Sequence, residues 1–353
     1  MSAPDDGDDG ALPLSDLERW VLPSTLSWLR DGDAKRAAIQ AEIGEDEAGY
    51  ANFLFSQEEK LRGLENERGE QEPAAGREVF RWSSSRSNPD GFSGPLSAPR
   101  SKEDGAISII YVLNGESLAG FGDQVWASSR HISQCLADAN VCCEVLGEDA
   151  DASSSSSQHP LLGKTFLELG AGAGVPSWTA LNCGARVVCT DQAVTDRIRC
   201  MAESAHLNYQ EMANEFDKDD ERLINAAKAK VCPYDWGSSI DEISQALGDE
   251  EERFDVIVAA DCVFKPWLHE ALLSSIDMAL SPTGIAFLPF GLHGNTADED
   301  VWSIADKAKE RGLFQGEYIR KDTAHTAEVM HGCQTSPRSH HSTVAIGACS
   351  CLR

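Results

Sequence analysis

Short apolar runs alternate with longer segments of helical spacing through most of this chain. Ala106–Leu113, Thr165–Leu169, Ala185–Asp191, Lys230–Trp236, Phe254–Ala260 and Gly284–Pro289 are compact and rich in Val, Ile, Leu and Phe, and they predict strands. Phe254-Asp-Val-Ile-Val-Ala-Ala260 is almost continuously apolar, as a parallel strand buried on both faces should be. Between the strands, Trp126 to about Val145 places Ile132, Leu136, Ala139 and Cys143 at helical spacing. The segment after Asp191 does the same with Ile198, Met201 and Ala205, and further helices are predicted over Trp267–Leu280 and near Val301–Gly312. Strands alternating with helices predict an α/β doubly wound, mostly parallel sheet. Phe314–Arg320 and Thr343–Cys349 predict a closing antiparallel hairpin.

The first third is less regular. Residues up to about 60 read as helical, with Ser15-Asp-Leu-Glu18 as a capping-box start and Pro23 as an interruption. Trp20, Leu26, Trp28 and Leu29 need a surface to pack on, so this extension is expected to dock on the rest of the chain. Glu65 to Asp104 is rich in Gly, Pro, Ser, Arg and acids and reads as a linker, and Ser153–Ser157 as a second flexible insertion.

The strand over Thr165–Leu169 contains Glu168 and runs into Gly170, Gly172 and Gly174 ahead of a predicted helix. Glycines let the backbone turn sharply and approach a ligand closely, and the helix N-terminus presents free N–H groups. A dinucleotide is disfavoured on two counts. The spacing is G-x-G-x-G, with Val175 where the third glycine of G-x-G-x-x-G belongs, and Glu168 would repel a pyrophosphate. An acid suits a cofactor without phosphates and with a cationic end, which describes S-adenosylmethionine. Asp191 ends the next strand roughly 20 residues on, where a ribose-binding carboxylate belongs, since a carboxylate accepts from both hydroxyls.

Composition narrows the partners rather than the fold. A formal charge of −28 over 353 residues repels nucleic acid and anionic membranes and attracts basic proteins. No run is long enough to span a bilayer, and the N-terminus lacks a signal peptide's basic and apolar parts. Eleven cysteines without regular spacing read as reduced intracellular thiols, so a cytoplasmic monomer is expected. Cys142-Cys143, Cys349-x-Cys351 and His340-His341 do not make a metal set, and none is expected.

From about Ile107 onward the chain resembles the family 16 methyltransferase-like proteins, the non-SET lysine methyltransferases of the seven-β-strand, Rossmann-like class. Gly122-Asp-Gln-Val-Trp126, Glu168–Gly174, Asp191, Tyr234-Asp-Trp-Gly237 and Ala260-Asp-Cys-Val-Phe264 carry the likeness. The Tyr-x-Trp-Gly element and Phe264–Leu273 resemble the subgroup labelled fungal nicotinamide N-methyltransferase, whose members are associated with methylating a translation elongation factor. The resemblance implies a seven-stranded domain over 105–353, preceded by a helical acidic extension (1–64) and a linker (65–104).

It also implies roles. Gly170, Gly172 and Gly174 support the methionine part of the cofactor, and Glu168 lies near its amino group. Asp191 binds the ribose. Asp235 and Trp236 flank the adenine, Trp126 packs on the outer side, and Ala260 and Asp261 close the pocket near the transferring methyl. Trp126 and Trp236 are equally accounted for as core residues, because burying an indole is common. Many relatives have Asp-x-x-Tyr where this chain has Asp261-Cys-Val-Phe264, which loses a phenol.

Methyl transfer from a sulfonium asks chiefly for alignment, proximity and exclusion of water. An amine acceptor must first lose its proton from a pKa near about 10.4 for a free lysine. Asp261, if it faces the acceptor, orients the nitrogen and raises that pKa, so positioning is its first role and proton acceptance its second. Three readings stand: a methyltransferase acting on a lysine or N-terminal amine of a basic protein, a small-molecule N-methyltransferase of the nicotinamide type, and a cofactor-binding scaffold without catalysis.

Overall fold

The computed structural model describes residues 12–43, 77–88, 90–97, 105–114, 122, 124–147, 158–248, 253–292, 296–313 and 343–348, without the side chains of 36–43 and 343–348. In chain order the elements are α1 (Leu14–Leu17), α2 (Pro23–Ile43), β1 (Arg77–Ser83), β2 (Phe92–Pro95), β3 (Ser108–Asn114), α3 (Ala127–Ala137) and α4 (Ala139–Leu146). There follow β4 (Thr165–Leu169), α5 (Val175–Asn182), β5 (Arg186–Asp191), α6 (Thr195–Glu215), α7 (Glu221–Ala226), β6 (Lys230–Pro233), α8 (Asp241–Leu247) and β7 (Phe254–Val258). The last are α9 (His269–Ala279), β8 (Leu280–Phe290), α10 (Asp298–Glu310) and β9 (Thr343–Ala348).

The main sheet has the order β6-β5-β4-β7-β8-β9 with every described pair parallel. Period-2 alternation sends neighbouring side chains to opposite faces. Phe166, Val187, Cys189, Val256 and Val258 join one apolar layer, while Leu167, Leu169, Val188 and Ile257 join the other. Both layers are covered, which explains why these strands read as nearly unbroken apolar runs. Chain order reverses between β4 and its neighbours β5 and β7, so a crevice opens beyond the carboxyl ends of these strands.

Six strands of the main sheet stand among the described residues, against the seven that the resemblance implies. Of the expected antiparallel hairpin, the second strand alone falls among the described residues. Thr343–Ala348 pairs in parallel with β8, whose outer edge offers unpaired N–H and C=O groups to a β-branched segment. Its intended partner, Phe314–Arg320, lies outside the described residues, as does Ser153–Ser157.

Residues 77–95 were expected within a linker but form two strands of a separate antiparallel sheet, β2-β1-β3. Arginines disguised the pattern. Arg77 pairs with Glu203, and Arg81 makes a two-pronged contact with Glu211 at 2.7 and 2.8 Å, both acids on α6. Trp82, next to Arg81, is fully buried. The free edge of β3 is capped by side chains of α6: Asn208 accepts from Ile110 N and donates to Ile110 O, and Ser204 Oγ accepts from Val112 N. The helix predicted over Trp126–Val145 is broken at Asp138, whose carboxylate accepts from the N–H groups of Asn140 and Val141 and starts α4.

The N-terminal segment docks as expected, though its local reading holds only in part. No capping box forms at Ser15, because the short α1 begins after Pro13. The helical run is interrupted after Trp20, as expected, and Pro23 also begins α2, where its missing N–H and fixed φ suit a first-turn position. Leu17, Trp20 and Leu29 are fully buried, Trp20 Nε1 donates to His206 Nδ1 at 3.2 Å, and Val21 bridges Val231 at the edge of β6. Trp20→Ala should therefore lower unfolding free energy by about 3–4 kcal/mol, measured by urea denaturation. A loss below about 1 kcal/mol would show the extension to be loosely held.

Candidate active site

The loop ends of four parallel strands converge on one cavity. Glu168 and Gly170–Ala173 enter from β4, Asp191 from β5, Tyr234, Asp235 and Trp236 after β6, and Ala260, Asp261 and Cys262 after β7. Trp126 at the head of α3 and Phe264, Lys265 and Leu268 beyond β7 form further parts of the lining. Of the candidate residues named from the sequence, only Gly174 is outside it.

The glycine loop is held by protein groups on both sides. Gly170 has a φ of 69°, and a Cβ there would stand 2.7 Å from Cys262 Sγ and 2.9 Å from the Trp236 ring. Gly174 shapes the start of the next helix. It sits in the left-handed region at φ 70° as the N-cap of α5, and a Cβ would stand 2.8 Å from the Trp178 indole. Its backbone turn and the buried Trp178 fix the helix entry, so Gly174 serves the fold.

The two strand-end acids already hold protein donors. Asp191 Oδ2 accepts from Gly172 N at 2.7 Å, and Oδ1 accepts from Gln192 N and from Arg197 Nη1, each at 2.8 Å. Both members of the Asp191–Arg197 pair are about 7% exposed at the side chain. Glu168 Oε2 accepts from the Ser177 amide at 2.9 Å and from its hydroxyl at 2.5 Å, capping the start of α5. Burial pushes the Glu168 carboxyl up to about 8, against the lowering effect of the Ser177 hydrogen bonds.

Asp261 has the one positive φ, 54°, of any described non-glycine residue. Left-handed backbone costs roughly 1–2 kcal/mol in an ordinary residue and less in Asp or Asn. Three contacts hold it there. Its amide donates to Pro289 O at 2.8 Å, Gly291 N donates to Oδ1 at 2.7 Å, and Ser128 Oγ donates to Oδ2. The carboxylate is thus clamped between the end of β8 and α3 at the cavity wall, and strain of this kind concentrates at functional positions. Asp235 is exposed at the rim, and Trp126, Trp236 and Phe264 are half-buried around the opening.

The lining fits S-adenosylmethionine by its donor chemistry. Four carboxyl-bearing side chains face a space bounded by aromatic rings, which suits a cationic, phosphate-free ligand carrying an adenine and disfavours a dinucleotide's pyrophosphate. A model of lysine methyltransferases matches residues 109–289. The chain belongs to the lysine methyltransferase family.

Three fungal relatives illustrate its neighbourhood within that family. The protein N-terminal and lysine N-methyltransferase efm7 of Schizosaccharomyces pombe is 31% identical over 45% of this chain and 58% of its own length. Its namesake in Gibberella zeae is 30% identical over 44% of this chain and 59% of that protein, and the one in Aspergillus fumigatus is 26% identical over 58% and 70%. In the first of these matches, the chain spans under two thirds of the relative's length. The solved structure of SMU.776, a putative methyltransferase complexed with SAH, has a TM-score of 0.34 at 18% identity over 64% of this chain and 50% of its own.

Sequence reasoning missed Arg197, Ser128, Ser177 and Lys265. Arg197 lies in the first turn of α6, six residues after Asp191, and that spacing is the signal that was available. Ser128 meets Asp261 across 133 residues, and no local pattern announces it.

Two outcomes follow from the buried acids. Asp191→Ala removes both the anchor of Gly172 and the counter-charge of Arg197, and should cost about 3 kcal/mol of unfolding free energy, as breaking a buried pair does. Urea denaturation measures it, and an unchanged midpoint would deny the anchor. Glu168 is an acid with a raised folded pKa, so its contribution to stability is present below the ordinary 4.5 and is lost as pH rises through about 8. Glu168→Gln does not titrate and should gain in Tm relative to the wild type across that window; parallel Tm curves would contradict the assignment.

Proposed function

We propose that the protein is an S-adenosylmethionine-dependent N-methyltransferase that transfers a methyl group to a lysine or N-terminal amine of a basic protein. The observation that carries this reading is the clamped, left-handed Asp261 on the wall of the acid- and aromatic-lined cavity. Family membership and relatives whose names specify N-terminal and lysine methylation support the choice of acceptor. A translation elongation factor is the substrate that the sequence resemblance implies. The net charge of −28 suits a basic partner.

When bound, the cofactor supplies a methyl group activated on a sulfonium. The chain's own residues would hold and align the reactants. The Gly170–Ala173 backbone and Glu168 receive the methionine part, Asp191 the ribose, and Asp235 and Trp236 the adenine. Trp126, Tyr234 and Phe264 exclude water from the space beside Asp261, which strengthens each remaining polar contact. Asp261 accepts a hydrogen bond from the incoming amine and turns its lone pair inward; with both oxygens already held, it positions first and takes a proton second. Phe264 offers an apolar face where the family resemblance leads one to expect a phenol.

The test is incubation of the protein with methyl-labelled cofactor and either basic proteins or a panel of small amines. Label on a protein amine supports the reading, label on nicotinamide-type amines alone replaces it with the small-molecule one, and cofactor binding without any transfer leaves a scaffold. Asp261→Asn suits the same assay, because Asn also tolerates the left-handed region and keeps an acceptor for Gly291. Its kcat should fall roughly 10- to 1,000-fold, with cofactor affinity changed by less than about tenfold. A wild-type rate would make Asp261 structural.

A further inference from the structure

The loop after β7 carries a second feature that the proposed reaction does not use. Lys265 is the one lysine among the described residues that line the cavity, and it lies on the same loop as Asp261. It is half-buried. Its backbone is fixed, because Leu268 N donates to Lys265 O at 2.9 Å and Pro266–Leu268 continues as a 3-10 turn. Among the described residues its ammonium meets the face of Phe264, with Nζ 5.5 Å from the ring centroid, and has no carboxylate partner. That is unusual in a chain with 58 acidic and 30 basic residues. A lysine on a flexible stem, without a carboxylate partner among the described residues and lining an acid-bearing pocket, occupies the kind of position that an acceptor lysine must reach.

We infer that Lys265 is itself a methyl acceptor, so that the protein methylates its own pocket lysine when no other substrate is present. The inference rests on the methyltransferase reading above. In the step, the Lys265 Nζ lone pair forms the new N–C bond while the C–S bond of the sulfonium breaks. The bonding pair stays on sulfur as a neutral thioether, and the amine proton passes to water or to Asp261. Burial lowers the pKa of Lys265, which enlarges its neutral, nucleophilic fraction relative to an exposed lysine. Residence in the same cavity replaces a bimolecular encounter with an intramolecular one.

The test uses the full-length protein with methyl-labelled S-adenosylmethionine and no added substrate, followed by peptide mass mapping. Methyl groups should accumulate on Lys265 at a rate per molecule that does not change with protein concentration, and Lys265→Arg should abolish that label. A second readout is independent of transfer: an amine-reactive reagent should modify Lys265, and S-adenosylhomocysteine at ten times its Kd should slow this about tenfold, matching the fraction of open sites. Binding of the cofactor and methylation of another protein with Lys265 unmodified would overturn the inference and leave the proposed function standing. Absence of cofactor binding would overturn both, and a rate that rises with protein concentration would make the modification intermolecular.

Discussion

The carboxylate of Asp191 ties together the parts on which the cavity depends. One oxygen receives the Gly172 amide from the loop after β4, and the other receives the Arg197 guanidinium from α6. A glycine-rich loop has high conformational entropy and no side chains of its own to pack. The contact from the end of the neighbouring strand gives it one shape. Arg197, nearly buried, in turn fixes α6, and α6 carries Ser204, Asn208, Glu203 and Glu211, which hold β1 and β3. A single buried ion pair therefore links the main sheet, the loop and the antiparallel sheet.

Around that anchor the cavity is acidic in composition, but its acids are not equivalent. Glu168 is deeply buried and shifted toward the protonated form, whereas Asp191 is paired with a cation and Asp261 is held by an amide and a hydroxyl. Glu168 is thus the member whose charge state a cationic ligand would change most. The same residue caps α5, so the helix entry and the ligand space share one side chain.

The central sheet was legible because buried parallel strands are dense apolar runs and their loops carry Glu168, the glycines, Asp191 and Asp261. The antiparallel sheet was not legible: Arg77 and Arg81 break the alternation, and only their acidic partners on α6, more than a hundred residues away, make sense of them. Pro23 was legible as a break but not as the start of α2, because a proline that stops one helix can also start another. In the site, the motif residues themselves were found, while Ser128 depends on the approach of a segment that no sequence period connects, and Lys265, just past the motif residue Phe264, carries no pattern of its own. Gly174 shows that a motif position also serves helix entry and Trp178 packing.

The central claim is that the cavity is built for a cationic, phosphate-free cofactor that meets Glu168. Titration calorimetry of S-adenosylmethionine near neutral pH, repeated in buffers of different ionisation enthalpy, tests it directly. Binding should release protons as Glu168 ionises toward the ligand, Glu168→Gln should remove that release, and NAD should give no heat of binding. Binding without proton release, or measurable binding of NAD, would contradict the account.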